Sequence, residues 1–422
     1  MTAIVGVLNK RGIAFAADSA ATHTSKSGQK ITNNANKIFA LSKYHPVGVA
    51  LYNNLDFMGT PWDTIVKVFR DNLSNTKYDT LTEYIESFWT YVRGNNIPSV
   101  DNQEWFVDLI VESYHNEVHG IVLKDIGGSV SDENQYLDKY YKQLENFRIV
   151  FQNQEKAEEF NDYSFDEFIS HVKSIDKALS FVTTNLNSYP IDFKNKIVES
   201  LYEFLRVKGD TYLTFTGLVF FGYGDKEFYP SYQEYIISCA LDGRYKCYPQ
   251  NPSKVTNYNN AIIAPFAQSD VTNTVIRAVE DDLRKKFYDN YRTSLSGFRD
   301  EIVAQMKSAN APGELINILE NLKVDKYVNE YVQGMDDYIR NHYIDSLIET
   351  VAYLSKEDLA DMAESLVRMT CIKRRITSTQ ETVGGPVDVA VITKGDGFIW
   401  MKRKHYFDPK LNTQFFERYN KQ

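Results

Sequence analysis

The chain has 422 residues, of which 43% are hydrophobic and 14% aromatic, enough to fill a large core, and 24% charged residues keep it in the ordinary globular class. A formal charge of -9 and a pI near 5.4 exclude a general attraction to nucleic acid or to an anionic membrane surface. Three cysteines, Cys239, Cys247 and Cys371, lack disulfide-framework spacing, and the N-terminus shows no leader pattern, so the expectation is a cytoplasmic protein.

In chain order, residues 3–8, 13–17, 37–41 and 47–51 are short β-branched or small apolar runs between turn residues, which predicts four strands and two hairpins. A helix follows in which Thr60 caps, Pro61 takes the first helical position, and Trp62, Ile65, Val66, Phe69 and Leu73 form the apolar stripe. In the next, Thr80 and Glu83 are spaced as a capping box, and Gly94 is the stop. Residues 95–209 turn polar, aromatic-rich and helical, and are predicted to be an insertion. Strand character returns at 212–222 and 234–241, with Asp242-Gly243 as the turn before 244–248. A helix from about 270, with Val271, Val275, Ala278 and Val279 on one face, leads into a second helical insertion at 283–348. Ser355 with Asp358 caps a last helix, and 387–393 and 398–402 make a closing hairpin. Without the insertions this order suits an α+β fold, a four-layer αββα sandwich of two antiparallel sheets between helix layers. The corresponding segments are 2–94, 210–282 and 349–405 for the core, 95–209 and 283–348 for the insertions, and 406–422 for a tail.

Three residues near the start could carry chemistry. Removal of Met1 would leave Thr2 with a β-hydroxyl and an α-amine on one residue, a nucleophile and its base together. Asp18 ends the second strand, and simple hairpin pairing brings it within a residue of the chain start. Lys37 opens the third predicted strand among apolar residues; buried there it needs a counter-charge, and paired with Asp18 it would lower the proton affinity of the Thr2 groups. Taken singly, each has a plainer reading: an ordinary start, a turn aspartate, a surface lysine.

The runs Thr2-Ala3-Ile4-Val5-Gly6-Val7, Ala16-Ala17-Asp18-Ser19-Ala20-Ala21-Thr22 and Asn36-Lys37-Ile38-Phe39, followed by two helices, resemble proteasome β-subunits and their bacterial HslV-like relatives, N-terminal-nucleophile (Ntn) hydrolases. The likeness covers roughly the first ninety residues, with a longer loop at 25–30, and returns at Gly384-Gly385-Pro386-Val387-Asp388-Val389. It implies Thr2 as nucleophile, Asp18 and Lys37 as its tuning pair, and Thr22 as a backbone contact for an extended substrate. It further implies Ala21 and Val49 in an apolar specificity pocket, and the Leu51 N–H in the oxyanion hole, where the family has glycine. Gln380 and Val383 stand where the family has a supporting aspartate and serine.

The expected activity is therefore a threonine peptidase, with no cofactor and no metal. An amidase acting on a small acylated molecule, and a non-catalytic assembly or regulatory subunit, are the alternatives. His115 and His119 lie four apart but do not make the zinc-protease pattern. No phosphate-binding glycine loop precedes a Lys-Ser/Thr pair, so an unfolding ATPase or regulator would be a separate chain. The expected substrate is a peptide or unfolded protein, and neither nucleic acid nor membrane is a partner. The insertions favour a monomer or small oligomer over a ring, the first of them roofing the cleft. The basic runs 373–375 and 402–404 read as solvated edges.

Overall fold

The computed structural model describes residues 2–25, 28–170, 192–209, 213–250, 252–377, 383–405, 407–414 and 417. The strands and helices run β1 (Ile4–Asn9), β2 (Gly12–Ala17), β3 (Ala21–Ser25), β4 (Gly28–Thr32), β5 (Ile38–Ala40), β6 (Val47–Asn53), β7 (Asp56–Phe57), β8 (Thr60–Pro61), α1 (Trp62–Leu73), α2 (Leu81–Gly94), α3 (Val100–Asp125), α4 (Glu133–Gln152), α5 (Phe165–Ser170) and α6 (Phe193–Arg206). There follow β9 (Thr216–Gly222), β10 (Ser231–Leu241), β11 (Arg244–Pro249), β12 (Ser253–Lys254), β13 (Ala261–Phe266), α7 (Asp270–Arg277), α8 (Asp281–Ser308), α9 (Gly313–Glu320), α10 (Val324–Ile339), α11 (Asp345–Tyr353), α12 (Lys356–Thr377), β14 (Asp388–Thr393) and β15 (Gly397–Lys402). The fold is mixed α+β with antiparallel sheets. It divides into two compact units, residues 1–38, 228–230 and 254–422, and residues 39–227 and 231–253.

The first unit is built on a five-stranded sheet in the order β13-β1-β2-β14-β15. Asn9 pairs with Gly12, so Lys10 and Arg11 form a two-residue turn, and this register carries Ala17 opposite Ile4. Helix α12 lies on one face. Its Leu359, Ala363, Leu366 and Val367 pack with Val5, Val7, Ala14, Ala16, Val389 and Val391. Each such leucine or valine, taken out of water, contributes about 1.5–3 kcal/mol. The capping expectation holds: the Ser355 hydroxyl and N–H both donate to the Asp358 carboxylate, and the Asp358 N–H donates to Ser355 Oγ. Ile4, Leu8, Ile13 and Phe15, which alternate with the helix-facing positions, are fully buried as well. Gly6 has no room for a side chain, since a Cβ there would lie 2.8 Å from the Phe15 ring.

Three expectations change in this unit. The loop foreseen at 25–30 joins a polar hairpin, β3 with β4, in which Thr22 pairs with Ile31. Strand β13 was not foreseen because Pro265 argues against a strand; it is an edge strand, where a residue without an N–H is tolerated. Helix α7 stops at Arg277 with Ala278 in the left-handed region, φ 55°, and Val275 is exposed while Val271 is buried, so the predicted single apolar face is buried only at its start. Helices α8 to α11 then fill the second predicted insertion.

The second unit holds a six-stranded sheet in the order β11-β10-β9-β6-β5, with β12 paired to β10. Helices α1 and α2 share one apolar core with it, in which Trp62, Phe69, Phe88 and Phe220 are buried. Trp62 Nε1 donates to Thr216 Oγ1 at 2.9 Å, which satisfies the one polar atom of that ring. The Thr80–Glu83 capping box of α2 is present, whereas Pro61 is the N-cap of α1 and not its first helical residue. Helices α3 to α6, from the first predicted insertion, extend the same core through Phe106, Tyr114, Tyr140, Phe151 and Phe204. Trp105, on α3, is half exposed, at 51%.

Candidate active site at the chain start

The β1–β2 register sets the site. Continuing it one residue beyond Ile4 and Ala17 puts Ala3 beside Asp18, and the backbone closes that pair with Asp18 N–H donating to Ala3 O at 3.1 Å. The Asp18 side chain turns back on the same residue. Its Oδ1 accepts the Ala3 N–H at 2.9 Å and Lys37 Nζ at 2.7 Å, and its Oδ2 accepts the N–H groups of Ala20 and Gly384, each at 3.1 Å. Four donors saturate one carboxylate, so the negative charge is held in place. Asp18, Lys37 and Thr2 are 1%, 1% and 4% exposed, so the pair and the threonine share a dry environment.

Lys37 stands immediately before β5, and Asp18 is its only partner among the described residues. Burial pushes the Lys37 ammonium below the usual lysine range; the Asp18 charge and hydrogen bond oppose that shift, and the Lys404 charge adds to it. Cys371, on the buried face of α12, feels the same two charges. Burial first, then Asp18, push its thiol up to about 11, so it is an un-ionised packing residue.

A segment late in the chain completes the surroundings. Ser19 N–H donates to Gly384 O at 3.1 Å, Ser19 Oγ donates to Pro386 O, and Ala35 N–H donates to Ser19 O at 3.0 Å. Gly385 has φ +77°, and a Cβ there would come within 2.8 Å of Asn33 Cβ, so both conformation and space demand glycine. Val383 is fully buried in the apolar core beneath α12, while Gln380 lies outside the described residues.

The remaining expected residues are divided between the two units. Ala21 and Thr22 open β3 in the first unit, both half-buried, and Thr22 Oγ1 is buried without a hydrogen-bond partner among the described residues. Val49 and Leu51 lie in β6 of the second unit. Their side chains are 0% and 1% exposed and belong to that unit's apolar core. The Leu51 backbone is in a strand of seven residues whose neighbour β5 has only three, so the β5 ladder cannot run the full length of β6.

Two things were not foreseen. The run 402–404 is a solvated edge only in part: Lys402, paired with Glu364, and Arg403, over the Trp400 ring, are exposed, whereas Lys404 is largely buried against Asp388. The signal was Asp388 itself, an acidic residue opening an otherwise apolar strand. In the second unit, the Nδ1 atoms of His115 and His119 on α3 lie 2.7 and 2.8 Å from the hydroxyls of Tyr140 and Tyr136 on α4. Matching four-residue spacings on the two helices were the readable clue. Among the described residues no group of three or more His, Cys, Asp or Glu side chains is placed to hold a metal ion. Among them, too, no helix is long and apolar enough to cross a membrane.

No protein-family model matches the chain, and no curated protein does. Among solved structures the chain is similar to an Anbu (Gly-1) mutant from Hyphomicrobium sp. strain MC1, at 8% identity and a TM-score of 0.29, over 100% of this chain and 96% of that one. A likeness that low supports neither fold nor function.

Proposed function

We propose that the protein is an Ntn hydrolase of the proteasome-like kind, a threonine peptidase whose nucleophile is Thr2 after loss of Met1, in a four-layer αββα arrangement. The observation that carries this reading is the buried Asp18 carboxylate, which grips the backbone next to Thr2 with one oxygen and Lys37 with that same oxygen. A structural ion pair would not need to sit against the second peptide of the chain.

In this reading the α-amine of Thr2, with an ordinary pKa of roughly 7.7–8.0, takes the proton from Thr2 Oγ. The oxygen attacks an amide carbonyl, a C–O bond forms, and the developing oxyanion is met by a backbone N–H, for which Leu51 is the candidate. The C–N bond then breaks, the leaving amine takes the proton, and water hydrolyses the ester to restore Thr2. Lys37, a fixed cation, favours the neutral amine and the alkoxide-like transition state. Thr22, with its unsatisfied hydroxyl, and Ala21 are the candidate contacts for an extended peptide. A peptide or unfolded protein is the proposed substrate, delivered by a separate ATPase or regulator, in the cytoplasm.

The test is the intact mass of the protein from its native host together with labelling by a β-lactone. Loss of one methionine and a single adduct on Thr2 are expected. An adduct-free protein that retains Met1 would overturn the reading. Lys37→Ala is expected to stay folded and lose turnover of fluorogenic peptides, and Lys37→Arg to fail as well, because guanidinium does not replace a compact ammonium.

A further inference from the structure

Two buried acid–base pairs, not one, lie at this end of the five-stranded sheet. Asp388 opens β14 directly opposite Ala17, the residue before Asp18. The β14–β15 ladder runs from Val389 opposite Lys402 to Ala390 opposite Trp400, so Met401 is bulged out of register. A bulge turns the strand that carries it. Beyond it the chain crosses back to the start of β14: Lys404 N–H donates to Asp388 Oδ1 at 2.8 Å, and Lys404 Nζ donates to Oδ2. The two side chains are 12% and 5% exposed, which is far from a solvated edge.

We propose that the Asp388–Lys404 pair is a positioning element of the Thr2 site, placing a second, partly neutralised ammonium near Lys37 so that the balance of charge around Lys37 is set by two strands and not by Asp18 alone. Besides Asp18 at the end of β2, which Lys37 touches, the charged and titratable groups whose fields reach Lys37 are Cys371 on α12 and Lys404, which follows β15 and is joined to Asp388 opposite Ala17. With the Cys371 thiol un-ionised, Lys404 is the one cation among them. It acts through Lys37 and touches no reacting atom. This deepens the reading of Lys37 as the residue that tunes Thr2, and rests on it for its purpose but not for its measurement.

The measurement is the titration of the Lys37 side chain, followed by NMR of lysine-labelled full-length protein and assigned by its absence in Lys37→Arg. Removing the Lys404 charge in Lys404→Gln is expected to raise the Lys37 midpoint. Removing its counter-charge in Asp388→Asn is expected to lower it, and Lys404→Arg to leave it in place. Peptide hydrolysis, where present, should shift its pH profile in the same directions. Opposite shifts in the two variants carry the proposal, since a merely structural role would move both the same way. No shift, or shifts of one sign, would overturn it. If Asp388→Asn fails to fold, Lys404→Gln against Lys404→Arg decides alone: equal midpoints in that pair would overturn it too. Shifted midpoints in a protein that never loses Met1 would uphold the tuning and sink the hydrolase.

Discussion

The molecule buries polar groups in two places by opposite means. In the first unit Asp18 and Lys37 are charged and held by four donors to one carboxylate. In the second, His115, His119, Tyr136 and Tyr140 form a neutral cluster between α3 and α4, with the two imidazoles stacked 5.6 Å apart. Burial lowers the proton affinity of His115 to about 4, helped by His119, and it lowers that of His119 too. The first arrangement needs charge to be stable, and the second needs its absence. A site that must act on a nucleophile can use the former, whereas the latter only joins helices.

Substitutions separate the two designs. The largest effect is expected for Asp18→Ala, which strands the Lys37 ammonium in a dry site with no other partner among the described residues; about 3–5 kcal/mol should be lost in urea unfolding. Next comes acid. At neutral pH His115 is neutral in both folded and unfolded chains, so it costs nothing. As pH falls below 6.5 the unfolded chain takes the proton first, and stability declines until the folded histidine also protonates near 4, a loss of roughly 3 kcal/mol. Stability measured against pH should show that slope between 6.5 and 4, and His115→Gln should flatten it.

Smaller effects sharpen the contrast. Lys37→Met removes one of four donors to Asp18 and leaves three backbone N–H groups on the carboxylate, so a loss of about 1–2 kcal/mol is expected, well under that of Asp18→Ala. Equal losses for the two would mean that the backbone donors contribute little. Tyr136→Phe breaks one hydrogen bond at a half-buried histidine and should cost about 1 kcal/mol in the same assay.

Much of the first unit was legible because its signals are local. The Asn9 to Gly12 turn fixes a register that delivers Asp18 to Ala3, and Ser355 with Asp358 marks the start of α12. The pairing of Lys37 with Asp18 followed from one rule, that a buried cation needs a counter-charge. What escaped notice is non-local or runs against propensity. The β3–β4 hairpin reads Ala-Thr-His-Thr-Ser and Gly-Gln-Lys-Ile-Thr, without the apolar alternation that signals a strand. Val49 and Leu51 share one face of β6, and no pattern within the strand says which layer that face meets. Lys404 looked solvated because its partner lies 16 residues upstream, across a bulge.

Pro265 has a consequence for solubility. The five-stranded sheet ends at β13, and an open edge is a template on which a strand from another chain can add. Proline offers no N–H to such a strand, so the ladder of an incoming segment is broken one residue from the end of the edge. The residue that hid β13 from a reading of the sequence thus protects the sheet from growing, and Pro265→Val is where fibrillar aggregation should begin.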